Sequence, residues 1–399
     1  MKPTLANVFQ VVAHKRLVLV DLPGKGSNQH ELNGVTALRE FFQTGDTVKA
    51  PIVWHYFADD RDAEREEGTF TFYDARAKSA TRTGRSEWRF YYTGDFLHRC
   101  EPGDELIFVK PSGILHALVF RKDSARLRAA LVLFGIGQSG DQLQLLTGQQ
   151  IAERDLDLLR RHVIDELELD IELPVMERDK ELVLRQFGER FPTTAVMSAF
   201  ARSQVQGGGT DPDGLLVAWL DREEQLFRAL EDVIIGKRLQ QGFDSVADFI
   251  KYSLSVQNRR KSRMGHALEH HLAEVFTREG LRFTAQARTE AGNRPDFIFP
   301  GEAEYHDPAF NPTKLIMLGA KSTAKDRWRQ ILPEAARIPK KHLCTMEPGI
   351  SEKQIHQMEQ KGVRLVIPRS IMITYSEAQV KYLDTLGGFI DHVRSFQRV

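Results

Sequence analysis

The sequence predicts a chain in two parts: a mainly β N-terminal part, and an α/β C-terminal part whose mixed sheet is flanked by helices. Three observations lead there. Up to about residue 135 short apolar runs are separated by turn residues; from Leu216 to Leu254 apolar residues recur at helical spacing; and beyond Ser262 helix-like and strand-like stretches alternate. The 399 residues also exceed what one hydrophobic core usually holds. A hydrophobic fraction of 41% with 28% charged residues fits neither the disordered nor the membrane class.

The N-terminal runs are RLVLVDL, VKAPIVWHY, TFTFYD, WRFYY, DELIFVK and ILHALVF, with turn signals at Pro23-Gly24 and Pro102-Gly103-Asp104. Regularly spaced short strands imply a barrel or sandwich. Helical periodicity begins near Glu153, and the stretch Gly207-Gly208-Gly209-Thr210-Asp211-Pro212-Asp213 reads as a flexible turn or linker. Leu216–Leu254 gives two or three helices broken at Gly236 and Gly242. A helix over Ser262–Glu279 closed by Gly280 follows, then strands LRFTAQ, PDFIFP and LIMLGAK, a helix around Trp328–Arg337, strand HLCTM, helix SEKQIHQMEQK closed by Gly362, and strand VRLVIP. A continuous run such as LIMLGA marks a strand buried on both faces.

Lysine plus arginine and aspartate plus glutamate both number 55, so affinity for a polyanion must come from local patches. Cys100 and Cys344 stand far apart without metal-ligand spacing, which argues against a disulfide framework or zinc site and for a reducing compartment. No apolar run approaches the roughly 18 residues needed to span a bilayer, and no leader pattern opens the chain, so a cytoplasmic protein without membrane contact is expected.

The sharpest chemical feature is Pro295-Asp296 at the head of PDFIFP, followed by the buried strand LIMLGAK ending in Lys321. Adjacent strands would bring this carboxylate and ammonium together, a pairing that suits phosphodiester hydrolysis: the carboxylate holds Mg²⁺ while the lysine stabilises charge or orients water. The bland alternative is a strand-end Asp and a solvated Lys. Glu269 shares a helical stripe with Gly265, Leu272 and Phe276, and a carboxylate on a packing face wants a metal, a lysine or an arginine. A buried salt bridge is the plainer reading. Asn258–Arg263, including Lys261 and Arg263, reads as a basic run entering a helix N-terminus, able to hold phosphates or simply solvated. Lys325, Asp326 and Arg327 just past Lys321 have the chemistry to read G·C pairs in the major groove, or to cap a helix.

Taken together, NRRKSRMGHALE, RPDFIFP, YHD, LIMLGAKSTAKDRWRQIL and GVRLVIP resemble, in order and spacing, the catalytic half of EcoRII-like type IIE restriction endonucleases, members of the PD-(D/E)XK nuclease superfamily. The resemblance covers about Thr210–Gly388. It implies that Asp296 and Lys321 are the PD…K pair, that Glu269 is the helix glutamate, and that Asp296, Glu334 and Glu269 hold the metal. Gly319 stands where the superfamily places an acidic residue two positions before the lysine; Glu334, beside Pro333, stands where CCGG- and CCNGG-type enzymes place a displaced second carboxylate. Lys325, Asp326 and Arg327 match the K-x-D-R element that reads the CC/GG portion of a site. Tyr305 and Lys261 fall in family motifs near the active centre, so Tyr305 is placed with the catalytic residues, and Lys261 and Arg263 with those that recognise DNA.

The N-terminal half is more distantly similar to the family's B3-like pseudobarrel domain, which binds effector DNA. His30-Glu31-Leu32, Tyr73–Arg76 and Arg85–Arg89 carry that similarity, which implies effector-DNA roles for His30, Arg76, Arg82, Arg85, Glu87 and Arg89. Any half-exposed barrel strand carries charges and aromatics too. The chain is accordingly divided into an effector DNA-binding domain over 1–180, a linker with a short helix over 181–212 and a catalytic domain over 213–399.

The resemblance implies a Mg²⁺-dependent enzyme cutting both strands of a short G·C-containing palindrome, with a homodimer, two or more DNA copies, N-terminal regulation and a partner DNA methyltransferase. A repair or junction nuclease of the same fold, and a non-cutting DNA-binding regulator suggested by Gly319, are the alternatives.

Overall fold

The computed structural model describes residues 11–25, 30–59, 62–77, 86–137, 139–147, 164, 175–205, 211–324 and 327–397. Contacts divide the chain into two compact units, Met1–Leu173 and Pro174–Val399. Among the described residues no helix is long and apolar enough to cross a membrane.

Among the described residues, the first unit is an eight-stranded sheet with two short α-helices. Its strands are β1 (Val11–Arg16), β2 (Glu31–Leu32), β3 (Val48–Phe57), β4 (Glu64–Asp74), β5 (Trp88–Tyr92), β6 (Glu105–Val109), β7 (Leu115–Phe120) and β8 (Gln144–Thr147); α1 (Leu38–Phe42) follows β2 and α2 (Ala125–Phe134) follows β7. The order is β2-β5-β4-β3-β7-β6-β1-β8, antiparallel except for β3 with β7. The two edges approach each other, Leu143 N–H donating to the Gly34 carbonyl at 3.1 Å, so the sheet curls around an aromatic core that includes Trp54, Phe70, Phe72, Phe90 and Phe108. Alternation makes β4: its Phe70 and Phe72 turn inward, stacking on Phe90 and Trp88 of β5 at 4.9 and 4.8 Å, with polar residues between.

RLVLVDL does not form the expected strand. The chain leaves β1 at Arg16 and turns through a 3₁₀ segment, Leu19–Asp21, because the buried Asp21 carboxylate takes Lys15 Nζ at 2.8 Å and the N–H groups of Val18 and Asn33. Leu19 and Val20 are left exposed. The helix α2, capped by Ser124, falls in the region read as strand-like. The periodicity near Glu153 lies outside the described residues.

The second unit opens with α3 (Glu177–Phe187) and α4 (Thr194–Ser203), both packed on α5 (Pro212–Gln241) through Val183, Met197, Ala201, Leu226, Phe227 and Leu230. The segment expected as a linker with one short helix thus contributes two helices to a core; of the stretch expected to be flexible, 207–210 lies outside the described residues, while Asp211 caps α5 and Pro212 and Asp213 begin it. Gly236 does not interrupt α5; Gly242, at φ +76°, ends it. A single helix α6 (Val246–Arg278) follows, starting well before the expected Ser262 because Ser245 caps it and no proline interrupts it.

The second sheet runs β14-β13-β12-β11-β10-β9, from β9 (Thr284–Ala285), β10 (Phe297–Phe299), β11 (Ile316–Ala320), β12 (Lys341–Cys344), β13 (Val363–Val366) and β14 (Leu383–Asp384). The pairs β9–β10 and β10–β11 are antiparallel, the other three parallel. Helices α7 (Glu302–His306), α8 (Glu352–Gln360), α9 (Arg369–Met372), α10 (Glu377–Val380) and α11 (Leu386–Gln397) complete the unit. All of β11 is buried, as its continuous apolar run requires. The helix expected around Trp328–Arg337 is only a 3₁₀ turn, Trp328–Ile331: Pro333 lacks an N–H, and Ala335 adopts φ +50°.

Candidate active site

The antiparallel register of β10 on β11, Phe297 opposite Leu318, sets Asp296 beside the C-terminal end of β11. Its carboxylate is buried and fully engaged. Oδ2 accepts the Ala320 N–H at 2.7 Å and Lys321 Nζ at 3.0 Å; Oδ1 accepts Gln286 Nε2 at 3.0 Å. The same Gln286 amide donates to Glu269 Oε2 at 3.1 Å, so one side chain joins the carboxylate of α6 to that of β10. Gln286 holds φ +52°, with its N–H on the Asp296 carbonyl at 3.0 Å. Sequence reasoning missed this residue, since a glutamine in an irregular loop carries no periodic signature.

Glu269 is half-buried, and burial raises its pKa, with the Asp296 charge adding to the effect. Glu334 is pushed up to about 7 by burial and by Asp296, against the pull of Lys321 and Lys341. Its Oε2 is buried without a hydrogen-bond partner among the described residues. The strand position two before Lys321 is itself crowded. A Cβ on Gly319 would stand 2.9 Å from Ile331 Cγ2 and 3.4 Å from Leu343 Cδ1, so the strand position has no room for an acidic side chain. Asp296, Lys321, Glu269 and Glu334 therefore influence one another in a single locus. The three carboxylates do not form a group whose ligand atoms all lie within 4.8 Å of one another.

The loop bearing Glu334 is pinned from both sides. Lys341 Nζ donates to the carbonyls of Ala335 and Ile338 at 3.1 and 2.8 Å. Tyr305, buried on α7, donates its hydroxyl to Glu290 at 2.6 Å, and Glu290 Oε2 accepts the Ala336 N–H at 3.2 Å. Arg337 donates to the carbonyls of Tyr305, Asp307 and Phe310, and Asn293 Nδ2 to that of Pro333 at 3.1 Å. Tyr305 thus holds the loop and does not contact Asp296 or Lys321 through its hydroxyl.

The basic run on α6 is not a helix N-terminus, so its backbone N–H groups are spent inside the helix. Arg263 is buried between Glu223 and Glu224 of α5 and over the Phe227 ring, which removes it as a DNA contact. Arg260 pairs with Glu231 and Arg259 stacks on Phe191, leaving Lys261 exposed. Arg327 is exposed; Lys325 and Asp326 lie outside the described residues.

In the first unit Glu87 bridges Arg76 at 2.7 Å and Arg89 at 2.6 Å, and these hydrogen bonds, Arg89's first, hold its pKa below the usual carboxylate range. Arg89 also reaches Glu31 at 3.4 Å. His30 Nδ1 lies 2.7 Å from the Gly94 carbonyl. Arg82 and Arg85 lie outside the described residues.

Residues 227–390 match a protein-family model described as EcoRII C terminal. The chain is 44% identical over 202 residues to the type II restriction enzyme EcoRII of Escherichia coli, covering 50% of this chain and 50% of that enzyme. It is 25% identical over 142 residues to the type II restriction enzyme SsoII of Shigella sonnei, covering 31% of this chain and 46% of that one. The chain thus spans about half the length of the curated relatives it matches. Among solved structures, metal-depleted Ecl18kI in complex with uncleaved, modified DNA aligns with a TM-score of 0.45 and 20% identity, covering 56% of this chain and 85% of that one.

Proposed function

We propose that this chain, whose residues 227–390 match the EcoRII C-terminal family, is a type II restriction endonuclease of the EcoRII kind that cuts both strands of a short G·C-containing palindrome. The observation that carries the reading is the convergence of Asp296, Lys321, Glu269 and Glu334 at the head of β10 and the end of β11, inside the matched region.

The donor set fits a hard divalent cation. Three carboxylates offer only oxygen, and the partnerless buried oxygen of Glu334 is the kind of atom such an ion satisfies. Asp296, Glu334 and Glu269 would hold Mg²⁺, which when bound supplies a Lewis acid to the scissile phosphate. The protein's residues do the rest. Asp296, fixed by the Ala320 N–H, keeps Lys321 Nζ beside the reacting phosphate, where its charge offsets the negative charge developing on phosphate oxygens. Gln286 sets the spacing between Asp296 and Glu269. Tyr305 acts through Glu290 on the loop that carries Glu334, and is a positioning residue.

Arg327, exposed just past Lys321, with Lys325 and Asp326 would read the G·C pairs, and Lys261 would contact a phosphate. Cutting a palindrome on both strands calls for a two-fold dimer with one centre per copy. The curled N-terminal sheet supports a B3-like domain that takes a second copy of the site through His30, Arg76, Glu87 and Arg89, with Arg82 and Arg85, and regulates cleavage. Such an enzyme works in the cytoplasm beside a DNA methyltransferase that protects the host genome.

The test is a digest of a sequenced phage genome with purified protein and Mg²⁺, followed by mapping of the fragment ends. Ends that share one short G·C-containing palindrome are expected; scattered ends, or cutting confined to branched or mismatched DNA, would reject the proposal.

A further inference from the structure

We propose that His30, Asp95 and His98 of the first unit form a binding site for a Zn²⁺-class transition-metal ion. The proposal is independent of the function assigned to the carboxylate centre. Ligand atoms of these three side chains lie within 4.8 Å of one another, the one such group of His, Cys, Asp or Glu among the described residues. His98 Nε2 stands 3.7 Å from Asp95 Oδ1, and the rings of His30 and His98 are 5.7 Å apart between centroids.

An exposed i,i+3 pair of Asp95 and His98 would by itself be an ordinary surface contact. The third side chain changes that. His30 Nδ1 faces the Gly94 carbonyl at 2.7 Å, and a carbonyl only accepts, so the proton sits on Nδ1 and Nε2 keeps its lone pair. Metal-binding histidines are characteristically held this way, one nitrogen donating to a backbone carbonyl and the other left for the cation.

The cluster is also preorganised. Asp95 and His98 belong to one 3₁₀ turn, Phe96–Arg99 with Asp95 at its cap, which is anchored by the buried Phe96 and Leu97. Asp95 N–H donates to Glu66 Oε1 at 3.2 Å, and Arg99 pairs with Glu64 at 2.6 Å and Glu66 at 3.4 Å. Gly94 holds φ +99°, a left-handed conformation that favours glycine at the approach to the turn. His30 enters from far back in the chain, placed by the pairing of β2 with β5 and by Tyr92 N–H on its own carbonyl at 3.0 Å.

Two imidazoles are borderline nitrogen donors, and together with one carboxylate they favour Zn²⁺ and its neighbours over Mg²⁺ or Ca²⁺, which take oxygen ligands. Asp95 and His98 are exposed, so a fourth position opens to solvent and takes water or an anionic oxygen. The bound ion would clip the β2 edge to the turn after β5.

The test titrates the full-length, chelator-stripped chain with Zn²⁺ by calorimetry, and with Co²⁺ by its visible absorption, which reports nitrogen ligation. Wild type should bind one equivalent at this site. His98→Ala and Asp95→Asn, both at exposed positions and so leaving the fold intact, should each weaken that binding at least about tenfold, whereas Asp296→Asn should leave it unchanged. Binding that is identical in wild type, His98→Ala and Asp95→Asn, binding lost only in Asp296→Asn, or no binding to wild type would overturn the proposal.

Discussion

Glu334 spends its life against the grain of its own chemistry. Its pKa stands at about 7 in the folded chain against an ordinary 4.5, so between those values the native state holds a proton that the unfolded state has released. A carboxyl with a raised folded value costs stability as pH climbs, with no cost below the unfolded value and the full cost above the folded one. In metal-free buffer, Glu334→Gln should therefore be more stable than wild type at pH 8, by roughly 1 to 2 kcal/mol, and equal to it at pH 4. Melting curves across that range check it, and equal stability at pH 8 would mean the carboxyl is not held as described. Gly319 is the other half of this arrangement. Gly319→Asp should cost about 1 to 3 kcal/mol, because its Cβ would press on Ile331; an unchanged melting temperature would show that the strand has room after all. Asp296, Lys321 and Glu269 were legible in the sequence, two because they end strands and one because it breaks an apolar stripe. Gln286 was not, since its role comes from a left-handed loop conformation that no residue pattern announces.

The long helices show where periodicity informs and where it misleads. Apolar spacing located α5 and α6, but the polar stretch in the middle of α6 looked like a helix start, and only the tertiary contacts of Arg260 and Arg263 with α5 explain how charged residues run through it unbroken. Arg263 sits between two glutamates with almost no solvent, so Arg263→Ala strands buried charge and should destabilise the second unit by about 3 to 5 kcal/mol, whereas Lys261→Ala on the exposed face of the same helix should change stability by no more than about 0.5 kcal/mol. Denaturant unfolding of the two variants decides it; equal effects would contradict the placement of Arg263. Strands β3 to β7 were legible because alternation or continuous apolarity tells a half-buried strand from a fully buried one. The turn at Leu19–Asp21 was hidden because a buried ion pair overrides an apolar run, and the 3₁₀ turn at Trp328–Ile331 because Pro333 cuts short a helix whose composition otherwise allows one.

At the scale of the molecule, the chain forms two compact units with separate cores. The equal count of acidic and basic residues says nothing about DNA; the charge that bears on it is local, in the exposed Arg327 and Lys261 of the second unit and the charged side chains along the β2–β5 edge of the first sheet. The two-part architecture was legible from the change of period along the chain. The place of α3 and α4 was not, because a short amphipathic helix reads alike whether it joins a core or spans a linker. On the proposed function, the second unit assembles a metal-dependent phosphodiester-cleaving centre from its carboxylates, with Glu334 standing in for the acid that Gly319 cannot carry. Single-turnover cleavage of a DNA fragment bearing the mapped site, with Mg²⁺ or with EDTA, tests it most directly. Wild type should cut only with Mg²⁺, and Glu334→Gln should fall by at least about a hundredfold while still binding DNA; a Glu334→Gln protein cutting at the wild-type rate would contradict the account.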